Sequence, residues 1–174
     1  MTVHRRLAAT TAAVAALGLA FAPLAASAST ATPARTGVNR HPAAHVRAYD
    51  QTMLTDANNA RAANQVHRFS MNHKLWKIAH AWAKHLSKTG TLEHNAALVQ
   101  DVTAACPHWT AVGENVGVTY GENEHHMFEA YMHSPPHRAN ILDKHYRQVG
   151  IATVRVVRHG QTEQWNVMDF GNRC

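Results

Sequence analysis

The sequence predicts an α/β sandwich in which helices cover a small sheet. Three observations carry that reading. Apolar residues recur at three- and four-residue steps from Asn72 to Lys88, the period of a half-buried helix. Near the C-terminus, Gln148 to Val157 and Gln164 to Phe170 are rich in β-branched and aromatic residues and flank the turn Arg158-His159-Gly160-Gln161, as two paired strands would. Helical patterns come first and strands later, with one helix between them, an order that suits helices layered on a sheet.

In chain order, the first 28 residues stand apart. His4, Arg5 and Arg6 precede an alanine-rich apolar run containing Val14, Leu17, Leu19 and Phe21, which closes in Ala26-Ser27-Ala28. A basic start, an apolar middle and an Ala-x-Ala end predict a secretory signal peptide cut after Ala28. A membrane anchor would need about 20 strongly apolar residues; this run is mostly alanine with threonines. Residues 29–44, rich in Ser, Thr, Ala, Pro and Gly, read as a flexible linker, and residues 45–174 as one domain of ordinary size.

Within that domain a first helix is expected from about Val46 to Asn64, with Val46, Tyr49, Met53, Ala57 and Ala60 on its apolar face. The second runs from Asn72 to Lys88, with Leu75, Ile78, Ala79, Trp82 and Leu86 inward, Lys74, Lys77, Lys84 and Lys88 on a solvated face, and Gly90 as its stop. An irregular stretch follows through His94 and Cys106 to Trp109. Val112 to Val118 reads as a strand, Glu122 to His133 as a third helix, and Pro135-Pro136 ends it because proline lacks the helical donor. A short helical turn resumes over His137 to Leu142. In the first late strand Val149 and Ile151 share one face while Ala152, Val154 and Val156 take the other, so both faces should be covered.

Two cysteines in an exported chain predict one disulfide, Cys106 with Cys174, stabilising by about 3 to 5 kcal/mol through the unfolded state. Removing 28 of the 174 residues takes two arginines and leaves 15 Lys and Arg against 11 Asp and Glu. An excess of four does not argue for nucleic acid. No basic run exceeds two residues, so attraction to an anionic wall or membrane would be weak and screened by salt.

Three segments carry the functional information: Leu92-Glu93-His94-Asn95, Gly113-Glu114-Asn115, and Ser134-Pro135-Pro136-His137-Arg138-Ala139-Asn140-Ile141-Leu142. Together they resemble the signature of the CAP superfamily, the cysteine-rich secretory, antigen 5 and pathogenesis-related 1 proteins, in its bacterial secreted branch. Asn58, Arg61, Tyr131 where the family usually has Trp, and Val149-Gly150-Ile151 extend the likeness from about Met53 to Phe170. The resemblance implies a three-layer α-β-α sandwich with a small, mostly antiparallel sheet, and one open cleft lined by His94, Glu114 and His137.

Two imidazoles and a carboxylate suit a divalent transition metal such as zinc. Their separations of 20 and 23 residues contain no compact His-x-x-x-His spacing, so their proximity is implied by the resemblance alone. On it, His94 and His137 would be metal ligands and Glu114 a ligand or a carboxylate that orients water. The family's second acidic position reads as Ser134, which offers less negative charge to a metal. The alternative is that all three are buried, hydrogen-bonded residues that fix loops. Asn115, Arg138 and Asn140 are expected to tie loops and helix ends. His125, His126 and His133 are expected at the surface.

Binding is the expected activity: a secreted, monomeric extracellular scaffold whose cleft takes a lipid, wall component or protein, with or without a divalent metal. A metal-dependent hydrolase, with Glu114 as base beside a metal-bound water, is an alternative, and an envelope protein with a structural role and no metal is a third. No serine sits in a nucleophile elbow, so the leaning is away from an enzyme.

Overall fold

The computed structural model describes residues 6–8 and 42–174, with side chains from Ala48 onward. The expected cleavage site after Ala28 lies outside the described residues, and of the expected signal peptide only residues 6–8 are described. The expected linker lies outside them up to residue 41; residues 42–44, expected as linker, belong instead to the first helix. Strand β1 (Arg6–Ala8) precedes helix α1 (Pro42–Ala63), strand β2 (Ser70–Met71), helices α2 (His73–Thr89) and α3 (Leu98–Ala105), and strand β3 (Ala111–Tyr120). Helices α4 (His126–His133) and α5 (Pro135–Leu142) and strands β4 (Gln148–Arg158) and β5 (Gln161–Asn172) complete the chain.

The sheet order is β1-β3-β5-β4-β2. β3 and β4 both run antiparallel to β5, whereas β1 lies parallel to β3 and β2 parallel to β4. The fold is thus the predicted α-β-α sandwich with a mostly antiparallel sheet. On one face Val149, Ile151, Met168 and Phe170 pack with Met53, Ala57, Met127, Tyr131 and Ile141 from α1, α4 and α5. On the other, Ala152, Trp165, Val167 and Val116 meet Ala79, Ala83 and Leu86 of α2. The alternation expected in β4 therefore places its two apolar sets in two separate cores.

Local chemistry explains the boundaries. Asn72 caps α2, its side-chain oxygen accepting from the amides of Lys74 and Leu75 at 2.8 and 3.2 Å. Gly90 ends the helix at φ 71°, with its amide donating to the Leu86 carbonyl. At Gly150 an added Cβ would land on the backbone of Leu75 and Trp76, so glycine lets α2 lie directly on the sheet. Cys106 and Cys174 form the expected disulfide.

Two further expectations need correction. The stretch expected to be irregular contains α3, whose inward residues Leu98 and Val102 pack with Leu75, Trp109 and Val112. Its single apolar pair at i and i+4, and the lack of a side-chain cap at Ala97, leave too little periodicity to read. The helix expected from Glu122 starts at His126 instead. Its first residues are drawn to α1: Tyr49 donates to the Glu122 carbonyl at 2.5 Å and Thr52 to Glu124 at 3.1 Å.

Candidate functional site

Glu114 lies on β3 with its side chain toward α2 and α3, and the next residue, Asn115, faces the opposite layer, as alternation requires. His94 comes from the segment between α2 and α3. Its Nδ1 lies 2.7 Å from Glu114 Oε1, which also accepts the Asn95 backbone N–H at 3.0 Å. Glu114 is only 4% exposed, and its other oxygen, Oε2, has no hydrogen-bond partner.

His137 enters from the other layer on α5, whose first positions are prolines that suit a helix start. Asn115 donates to the His137 carbonyl at 3.0 Å, and Asn140 donates to Asn115 Oδ1 at 2.9 Å and to the Glu114 carbonyl at 3.1 Å. Behind α5, the buried Arg61 guanidinium donates to the carbonyls of Ile141, Asp143 and Tyr146. His137 is 1% exposed, and both ring nitrogens lack partners. Burial, then the neighbouring His94 charge, pushes its pKa down, so it is held neutral, with one donor and one acceptor unused.

The structure thus pairs the side chains of His94 and Glu114 on one side of β3 and, on the other, joins Asn115, His137 and Asn140 to that strand through hydrogen bonds that include the His137 and Glu114 carbonyls. Ser134 immediately precedes α5 and makes no side-chain cap there; Arg138 is exposed on that helix. His125 pairs with Asp56 at 2.7 Å, and His133 Nδ1 contacts the Glu129 carbonyl of its own helix at 2.7 Å.

Sequence reasoning missed Asp169. It is the cross-strand partner of Glu114, fully buried, and neither of its carboxyl oxygens has a partner. Burial first, and the charges of Glu114 and Asp101 next, push its pKa well up. An acid inside the otherwise apolar run Val167-Met168-Asp169-Phe170 was the available signal. Tyr131 is also buried, its ring 5.0 Å from that of His137; burial and the charges of Glu114 and Asp169 push its pKa up.

The donor types suit a divalent metal, but among the described residues no group of three or more His, Cys, Asp or Glu side chains is drawn around one point. For His94 Nδ1 and Glu114 Oε1 to hold a common ion, their mutual hydrogen bond must open. As arranged, the cluster does not fit a metal. Beside it, an open groove of about 750 Å³ runs between α2 and α3 past Ile78, Trp82, His85, Asn95, Asp101 and Ala104. Asn95 joins the two, since its amide bonds Glu114 and its side chain donates to Asp101 at 3.2 Å.

The family model described as "CAP: Cysteine-rich secretory protein family" matches residues 54–170. The fold is similar to an outer surface protein of Borrelia burgdorferi (15% identity, TM-score 0.60, covering 74% of this chain and 96% of that one). It is also similar to an extracellular SCP-domain protein of Bacillus anthracis (14% identity, TM-score 0.62, covering 76% and 44%). A cysteine-rich secretory protein of Staphylococcus aureus is 20% identical with TM-score 0.58, covering 76% of this chain and 41% of that one. The chain thus spans less than half of the Bacillus and Staphylococcus chains. No curated protein matches it.

Proposed function

The chain belongs to the cysteine-rich secretory protein family, and on that footing we propose that it is an extracellular binding scaffold whose ligand engages the cleft of His94, Glu114 and His137. The observation that supports this reading is the unused capacity of buried groups: Glu114 Oε2 and both ring nitrogens of His137 have no partner. Unsatisfied buried polar groups are costly, by about 1 to 3 kcal/mol each. A ligand carrying a hydroxyl or carboxyl would offset that cost by donating to Glu114 and both donating to and accepting from neutral His137. The ligand class is a lipid, a wall component or a protein segment.

A second reading is a divalent ion such as zinc, for which His94, His137 and Glu114 supply the right donor types but which requires the His94–Glu114 hydrogen bond to open and the side chains to rearrange around one point. The two readings separate in thermal melts of the purified chain. If an ion occupies the cleft, zinc raises the melting temperature and the His94→Ala/His137→Ala double variant does not respond. If the cleft takes an organic ligand instead, zinc leaves the melt unchanged, while lipid or wall extract raises it in the parent and not in Glu114→Gln. A shift that persists in both variants contradicts the cleft as the site.

A further inference from the structure

Helix α2 carries seven basic or imidazole side chains and no acidic one: His73, Lys74, Lys77, His80, Lys84, His85 and Lys88. At 100° per residue, the four lysines fall within an arc of about 80°, with His73 and His80 flanking one side and His85 the other. The lysines, scattered in the sequence, are all exposed. None of the ion pairs among the described residues involves any of them. Lys74 Nζ donates to the Ala105 carbonyl at 2.9 Å, Glu93 lies 3.5 Å from His85, and Asp101 lines the groove beside Lys77 and His85. The result is a lysine-rich cationic line about 21 Å long from Lys74 to Lys88 at 1.5 Å per residue.

We propose that the outer face of α2 docks a linear polyanion of the cell envelope, a wall polymer with phosphodiester-type charges along its chain. Charge complementarity commits the occupant: a narrow line of like charge matches a polymer that can lie along it. Two competing occupants fit less well. A bilayer is held more firmly when an apolar group inserts beside the charges, but among the described residues the exposed large apolar ones are Met71, Val99, Tyr120 and Val157, none on α2. Single-stranded nucleic acid is held by free aromatic faces on which bases stack. Here Trp76 is sandwiched between His73 and His80 at 5.6 and 4.9 Å, and Trp82 is stacked on His85 at 4.5 Å, with its indole N–H donating to the Glu93 carbonyl.

The test measures binding of the purified chain to linear inorganic polyphosphate at several salt concentrations. Three proteins are compared: the parent, Lys77→Gln/Lys84→Gln/Lys88→Gln, and the charge-matched control Arg68→Gln/Lys144→Gln/Arg147→Gln. The stripe variant is expected to bind at least tenfold more weakly, with a log–log salt slope shallower by about two to three; the control changes less than threefold. Thermal melts confirm that both variants fold. Equal loss in both variants would show net charge alone at work and overturn the assignment. Failure to bind polyphosphate overturns it too, as does tighter binding to vesicles containing phosphatidylglycerol or to single-stranded DNA of equal charge.

Discussion

Glu114 uses one carboxylate oxygen to hold His94 and the Asn95 amide, its other oxygen is buried without a partner, and its cross-strand neighbour is Asp169. Burial of Asp169 first, and repulsion from the cross-strand carboxylate of Glu114 next, keep the Asp169 proton in place well above the ordinary carboxyl range. The folded state therefore binds a proton that the unfolded chain releases above about pH 4, and stability falls as pH rises from there toward the raised pKa. Asp169→Asn should flatten that fall and raise stability at pH 8 by at least about 1 kcal/mol, read from urea melts between pH 4 and 8; a less stable Asn variant at pH 8 would show a charged, partnered Asp169. His94, Glu114 and His137 were singled out through the family resemblance that three short segments carry, since their separations of 20 and 23 residues alone do not bring them together. Asp169 was not, because a lone acid in an apolar strand has no motif and gains meaning only from register.

At the scale of elements, α2 was the most legible part of the chain. Its period and its Gly90 stop survive in the fold, and Asn72, where the helix was expected to begin, is its cap, because one helix buries one face and ends by local chemistry. What the sequence does not display is contact between elements, and Gly150 is the example: its strand looks continuous, yet the backbone of α2 occupies the place of a side chain. Gly150→Ala should cost on the order of 3 kcal/mol, measured as a loss in unfolding free energy with the helical circular dichroism retained. A substitution without effect would mean that α2 is free to lift from the sheet. Helix α3 escaped notice for the opposite reason: it is short, uncapped by a side chain, and held by tertiary packing of Leu98 and Val102.

Across the whole molecule, the Cys106–Cys174 bridge ties the last residue to the end of α3, closing 68 residues of sequence. Replacing both cysteines with serine should lower stability by about 3 to 5 kcal/mol, seen as a drop in the urea midpoint that reduction of the parent reproduces. Asp50 links the helical layer to the sheet. Burial pushes its pKa up to about 7, with hydrogen bonds from Thr153 and Trp76 offsetting part of the rise. A raised carboxyl pKa means stability is lost as pH climbs from about 4 to 7, by about 4 kcal/mol in all at 1.36 kcal/mol per unit. His137, held neutral, acts in the other direction: its pKa is lowered, so stability is lost on acidification below about 6.5. Asp50→Asn should remove the Asp50 share of the first trend, leaving that of Asp169 and the acid-side loss from His137, in melts across pH 4 to 8. The three-layer architecture was legible because strand alternation encodes which faces are covered, whereas long-range ties such as Asp50 to Thr153 leave no periodic trace.

The most direct measurement of the central claim is native mass spectrometry of the protein recovered from a culture medium without a tag, parent beside a Glu114→Gln/His137→Ala variant. The parent should carry an added mass, organic or metal, that the variant lacks while remaining folded. A parent with no added mass, or an added mass shared equally by the variant, would contradict a ligand held by His94, Glu114 and His137.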